Sequence, residues 1–197
     1  MNNGSGKIGT TFLLVGPPAS GKSVCAKVAE DFGCTVIGMG DLLRKKIGEG
    51  DILIKRYVDE GLYVPSKHVF PVIFGELPNE LTGKIICLDG FPRTRAQAEK
   101  LVGKLEGAKT RLVVIQIEVD QNICLIRAKK RGRNDDKVEV ILARMSEYET
   151  NAPALCAYLK RHSNAYHVLN NESRDKGIMA RQAFVVIRDE IELSNHL

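Results

Sequence analysis

Gly16-Pro17-Pro18-Ala19-Ser20-Gly21-Lys22-Ser23 lies between an apolar run, Thr11 to Val15, and an amphipathic stretch that begins at Val24. It matches the pattern G-x-x-x-x-G-K-[ST]. The context makes it a phosphate-binding loop, because the motif needs a strand before it and a helix after it. The glycines let the backbone curl until successive N–H groups point inward. A helix N-terminus adds the positive end of its dipole, and a lysine reaches the terminal phosphates of a nucleotide. The following residues Val24, Cys25, Val28, Ala29 and Phe32 recur at helical spacing, as that geometry requires. The stretch therefore predicts an α/β fold and a bound nucleoside triphosphate.

The whole chain is consistent with this. It has 197 residues and 44% hydrophobic content, enough for one good core. The net charge of +5 is spread along the sequence, which points to small polyanions and not to nucleic acid. Cys25, Cys34, Cys87, Cys124 and Cys156 are far apart, with no C-x-x-C pair, so neither a disulfide framework nor a structural zinc is expected. Met1 to Thr10 lacks a basic segment followed by a long apolar run, and no stretch is long enough to span a bilayer, so cytoplasmic residence without membrane partners is expected.

Short apolar or β-branched runs alternate with helical patterns. Thr11 to Val15, Thr35 to Ile37, Ile85 to Leu88, Leu112 to Val119 and Tyr166 to Leu169 read as strands. Helices are expected near Lys22 to Phe32, Arg95 to Leu105, Gln121 to Lys130, Asp136 to Tyr158 and Lys176 to Leu193. Such alternation predicts a five-stranded parallel sheet between two helical layers, since parallel strands need crossovers. Gly38 to Gly83 has helical patterns broken at Gly48, Gly61, Pro65 and Pro71, and reads as an inserted helical lobe with Ser66 as a helix cap.

Cys87-Leu88-Asp89-Gly90-Phe91-Pro92-Arg93-Thr94 closes the third strand. It places an acid and an arginine beyond a strand's C-terminal end, where open α/β sheets bind ligands. Asp89 there is suited to hold magnesium through water; the plainer reading of Asp89-Gly90 is a turn. Arg93 and Gln97 stand four residues apart and are expected to project from one helix face. Arg127 and Arg131 share a face in the same way, with Arg133 and Arg144 further on, so four cations are expected to converge. Phosphoryl transfer asks mainly for positioning and charge neutralisation, which arginine supplies through its forked donors.

Together these features resemble the adenylate kinase family of nucleoside monophosphate kinases, from Phe12 to about Tyr158. The motifs stand in the family's order: GPPASGKS, Gly40-Asp41-Leu42-Leu43-Arg44, Gly61-Leu62-Tyr63-Val64-Pro65, DGFPRT with Gln97 and Ala98, then Gly132-Arg133-Asn134-Asp135-Asp136. The resemblance implies one kinase domain: a core (1–38, 69–126, 137–197), a monophosphate-binding insert (39–68) and a short lid (127–136). It implies magnesium-dependent transfer of the terminal phosphoryl group of ATP to AMP, giving two ADP, by a monomer. Gly16, Pro17, Pro18, Ala19, Ser20, Gly21, Lys22, Ser23 and Val24, with Arg127 and Arg131, would bind ATP. Met39, Gly40, Arg44, Val64, Gly90, Arg93 and Gln97, with Arg133 and Arg144, would bind AMP. Lys22, Arg93, Arg133 and Arg144 would be catalytic, and Asp135 and Asp136 would contact the lid.

The chain departs from the family's usual pattern in four places. Ala19 stands where the family usually has glycine. Ser23-Val24 replaces a Gly-Thr pair, so magnesium ligation is expected on the Ser23 hydroxyl. Met39 occupies the place of a threonine that contacts adenine, and a thioether donates no hydrogen bond. Gly132 alone separates Arg131 from Arg133, an unusually short lid, so nucleotide hydrolysis without acceptor is expected. A kinase for UMP or CMP, or a broad one, is the nearest alternative, although Gln97 favours adenine. A non-catalytic nucleotide-binding module is the other. No Asn-Lys-x-Asp pattern marks a guanine site.

Overall fold

The computed structural model describes residues 7–132, 137–173 and 175–196. Arg133, Asp135 and Asp136 lie outside them. In chain order the elements are β1 (Gly9–Val15), α1 (Lys22–Asp31), β2 (Thr35–Gly38), α2 (Met39–Gly48), α3 (Ile52–Glu60), α4 (Ser66–Glu76), β3 (Ile85–Asp89), α5 (Arg95–Leu105), β4 (Thr110–Glu118), α6 (Gln121–Arg131), α7 (Val138–His162), β5 (Ala165–Asn170) and α8 (Lys176–Asn195). The sheet is parallel throughout, in the order β2-β3-β1-β4-β5.

β1 sits in the middle of that sheet, and all seven of its residues are buried. This is why Phe12 to Val15 reads as an unbroken apolar run, since a central parallel strand is covered on both faces; the buried hydroxyls of Thr10 and Thr11 are paired with Ser194 and Thr110. Its side chains alternate between two layers. Leu13 and Val15 join Met39, Val69, Ile73 and Leu101 on one face. Phe12 and Leu14 join Cys25, Ala29, Met179, Ala183 and Ile187 of α1 and α8 on the other. Each large aliphatic side chain so buried contributes about 1.5 to 3 kcal/mol.

Two expectations about the inserted segment are corrected. Pro71 does not break a helix: α4 runs through it to Glu76. The missing N–H costs one helical bond. Against that loss the helix buries Val69 and Ile73, stacks Phe70 on Phe74 at 5.3 Å and sets Phe70 edge-on to Phe91 at 6.4 Å. Ser66 is the first helical residue and not the cap. Pro65 takes that place, its carbonyl accepting from His68 N at 2.9 Å and Val69 N at 3.2 Å. α7 runs through Pro153, as its expected span did, and ends at His162, four residues beyond the expected Tyr158.

The register decides where the site opens. Leu14 of β1 pairs with Asp89, the last residue of β3. The loop that begins at Gly16 and the turn that begins at Gly90 therefore leave the same end of the sheet side by side.

Candidate active site

The Gly16–Ser23 loop is held from both its own chain and a distant one. Lys22 Nζ donates to the carbonyls of Gly16 and Pro17, each at 2.7 Å, and to Ser20 Oγ at 3.3 Å. Asn171, buried just after β5, donates from Nδ2 to the Ser20 carbonyl at 2.7 Å. Gly21 has φ +107, and a Cβ there would lie 2.3 Å from that same amide nitrogen. Only glycine satisfies both demands, a backbone in the left-handed region and no room for a side chain.

One cleft runs from this loop to the inserted helices. Gly16, Pro18, Ala19, Ser20, Gly21, Lys22 and Ser23 line one side of it. Gly40 and Arg44 of α2, Tyr63, and Asp89, Gly90 and Arg93 line it as well, together with Arg131 of α6 and Arg144 of α7. Arg44 pairs with Asp41 at 2.6 Å. Arg93 donates from Nε to the Gly90 carbonyl at 2.9 Å, and its guanidinium lies 5.3 Å from the centre of the Tyr63 ring. Arg144 reaches the Val58 carbonyl at 3.3 Å, which ties α7 to the end of α3.

Other expected site residues are placed elsewhere. Gln97 is buried and does not share the cleft wall with Arg93. Its Oε1 accepts from Arg93 N at 2.8 Å, while its own N–H bonds the capping hydroxyl of Thr94 at 3.2 Å. Arg93, Thr94 and Gln97 thus brace one another, because helical spacing returns the Gln97 side chain to the turn just before the helix. Met39 and Val64 are core residues, 1% and 4% exposed, although Gly40 beside Met39 lines the cleft. Pro17 contributes its carbonyl to Lys22, and Val24 packs in the layer under α1. Arg127 does not join Arg131 and Arg144 on the wall: its NH2 donates to the Ser173 carbonyl at 2.7 Å, turned toward the loop after β5.

The electrostatics follow from gathering cations in a partly dry cleft. Burial lowers Lys22 from 10.5 to about 8; Asp89 opposes the shift, and Arg93 and Arg131 add to it. Burial likewise holds Arg93 below its ordinary value, with the charges of Arg144 and Arg44 adding. Tyr63 is pushed up to about 12 by burial, against the pull of Arg93. The Cys25 thiol beside the loop is fully buried and pushed up to about 12, so it is held as an unreactive thiol. The cleft is thus an anion trap whose cations gain when phosphate charge replaces water.

Ser23 and Asp89 both face this cleft, offering a hydroxyl and a carboxylate oxygen. Hard oxygen donors of that kind fit magnesium, which prefers to keep most of its waters and to bind through phosphates and one or two protein oxygens. Among the described residues there is no group of three His, Cys, Asp or Glu side chains placed to hold a metal.

A phosphate loop at the end of a parallel sheet, facing guanidinium groups across one cleft, defines a P-loop nucleotide-phosphate protein of the phosphotransferase kind. The family model for adenylate kinase matches residues 14–164. The chain is 39% identical over 153 residues to an adenylate kinase of Mycobacterium tuberculosis, covering 75% of this chain and 84% of that protein. It is 40% identical over 152 residues to one of Mycobacterium ulcerans, covering 74% and 84%. To one of Rhodococcus erythropolis it is 37% identical over 154 residues, covering 76% and 85%. The chain belongs to the adenylate kinase family. No helix among the described residues is long and apolar enough to cross a membrane.

Sequence reasoning missed three residues. Tyr63 was visible only as one letter of a family motif, and Tyr148 of α7, which also lines the cleft, had no signal. Asn171 lies 151 residues from Ser20 and carries none either.

Proposed function

We propose that this enzyme transfers the terminal phosphoryl group of ATP reversibly to AMP, giving two ADP. The observation that supports it is the single cleft that presents the phosphate loop and Lys22 on one side and Arg44 and Arg93 on another, with Arg131 and Arg144 beside them. Two phosphate-bearing molecules brought into such a cleft are held for direct transfer. An acceptor phosphate oxygen attacks the terminal phosphorus, forming the new P–O bond as the bond to the bridging oxygen of the leaving diphosphate breaks. The attacking oxygen is already anionic, so no base is needed.

Each side chain then has a task. Lys22 leaves the loop carbonyls for the transferred group. Arg44 and Arg93 hold the acceptor phosphate. Arg131 and Arg144 neutralise the equatorial oxygens, joined by Arg133 in the sequence-based reading. One such arginine contributes a factor of about 10³ to 10⁵. Ser23, and Asp89 through water, are the residues that would hold magnesium, which would neutralise and orient the donor phosphates. Residues 39–68 form the acceptor lobe of this proposal and 127–136 its short lid. Its partners are ATP, AMP and ADP, handled by a cytoplasmic monomer.

The test is an assay of the purified protein with magnesium ATP and equal concentrations of AMP, UMP, CMP and GMP. ADP formation with AMP as the best acceptor is the expected result. Preference for UMP or CMP replaces the acceptor, and nucleotide binding with no transfer to any monophosphate refutes catalysis.

A further inference from the structure

Arg93 is anchored in an unusual way for a buried cation. Among the described residues its guanidinium makes one hydrogen bond, from Nε to the Gly90 carbonyl, and no ion pair. Its backbone is fixed by Gln97. Arg44, by contrast, already spends donors on Asp41. A guanidinium held only through Nε is free to pivot about that bond. What covers its face is the ring of Tyr63, 5.3 Å away, on the short connection between α3 and α4. Both side chains line the cleft.

We propose that Tyr63 is a positioning residue for Arg93: its ring holds the plane of the guanidinium so that the terminal fork points at the acceptor's phosphate. This rests on the reading of Arg93 as an acceptor-phosphate arginine. An aromatic face attracts a cation without using any of its N–H donors. An aspartate in the same place would consume the fork and cancel the charge that the phosphate needs. Arg144 and Arg44 repel Arg93, and the face of a neutral ring attracts it. The phenol itself is kept neutral by burial, so it brings no negative charge to compete with the phosphate.

Steady-state kinetics on the full chain test this, with AMP varied at saturating ATP and the reverse. Tyr63→Leu is expected to raise the KM for AMP about three- to thirtyfold, the range of a partly desolvated cation–aromatic contact, while the KM for ATP stays within about twofold. Tyr63→Phe, which keeps the ring, restores most of the loss. AMP titration of Arg93→Met with and without Tyr63→Leu completes the cycle, and the second substitution is expected to add nothing. Should Tyr63→Leu not fold, Tyr63→Met supplies the same comparison. An unchanged KM for AMP, a loss that Phe does not restore, or an equal loss in the Arg93→Met background each overturns the proposal. If Arg93→Met alone leaves AMP binding intact, the acceptor-site reading itself is what has failed.

Discussion

At pH 8 the free enzyme holds Lys22 about half protonated, since burial has brought it from 10.5 to about 8. Triphosphate oxygens in the loop favour the ammonium form, so binding draws a proton from solvent. The expected uptake is about half a proton at pH 8 and close to one at pH 9, above the range near 6 where a terminal phosphate itself titrates. Titration calorimetry with a non-transferable ATP analogue, in two buffers of different ionisation enthalpy, reads that number directly. Lys22→Gln should abolish it.

The same displacement governs stability without ligand. Below pH 8 both folded and unfolded chains carry the Lys22 proton, and the cost of holding the charge in the cleft is fully present, at most about 3 kcal/mol for a shift from 10.5 to about 8. Between about 8 and 10.5 the unfolded chain keeps a proton that the folded chain has shed, so stability rises with pH and the cost disappears. Buried thiols run the other way: Cys25, raised from 9.0 to about 12, loses stability above pH 9. The difference in urea midpoint between wild type and Lys22→Met therefore isolates the lysine, with the variant more stable at pH 7 and the gap closing toward pH 10. Buffer-independent heats at pH 8, or equal proton uptake in Lys22→Gln, would refute the reasoning.

Gly61 caps α3 at φ +76, and a Cβ there would lie 2.6 Å from the Val140 carbonyl of α7, so Gly61→Ala should cost about 2 kcal/mol or more by denaturant melting. Glu190 of α8, 6% exposed, bonds Arg111 at 2.8 Å and His167 at 2.8 Å, and none of the three lines the cleft. Glu190→Ala strands the Arg111 charge, and a loss of about 3 to 5 kcal/mol with unchanged KM values is expected. Ser23→Ala should raise the magnesium concentration for half-maximal activity roughly tenfold, and an unchanged magnesium dependence would remove Ser23 from the metal site. With Gly132 alone between Arg131 and Arg133, ATP hydrolysis in the absence of AMP should be measurable. A ratio of hydrolysis to transfer as low as that of a long-lid relative would count against it.

The strands and most helix limits were legible because local periodicity and covering layers coincide. β1 is apolar from Phe12 to Val15 because both its faces are covered, and α1 and α5 follow their apolar spacing. The breaks expected at Gly48, Gly61 and Pro65 fall at the end of α2, the end of α3 and the start of α4, whereas Pro71 misled. Pro71 sits inside a helix because packing outweighs one missing hydrogen bond, a balance no local pattern displays.

For the site, the amino-acid sequence alone determined the phosphate loop, since a run of inward N–H groups before a helix is a local property of eight consecutive residues. It also supplied the arginines, as residue types. Which of them face the cleft was settled only by tertiary structure. Arg131 and Arg144 line it and Arg127 turns away toward Ser173, although helical spacing puts Arg127 and Arg131 on one face. The helix period fixes the direction of a side chain relative to its own axis. What it meets there depends on elements far along the chain, such as the loop after β5 that takes up Arg127 and carries Asn171 to the back of Ser20.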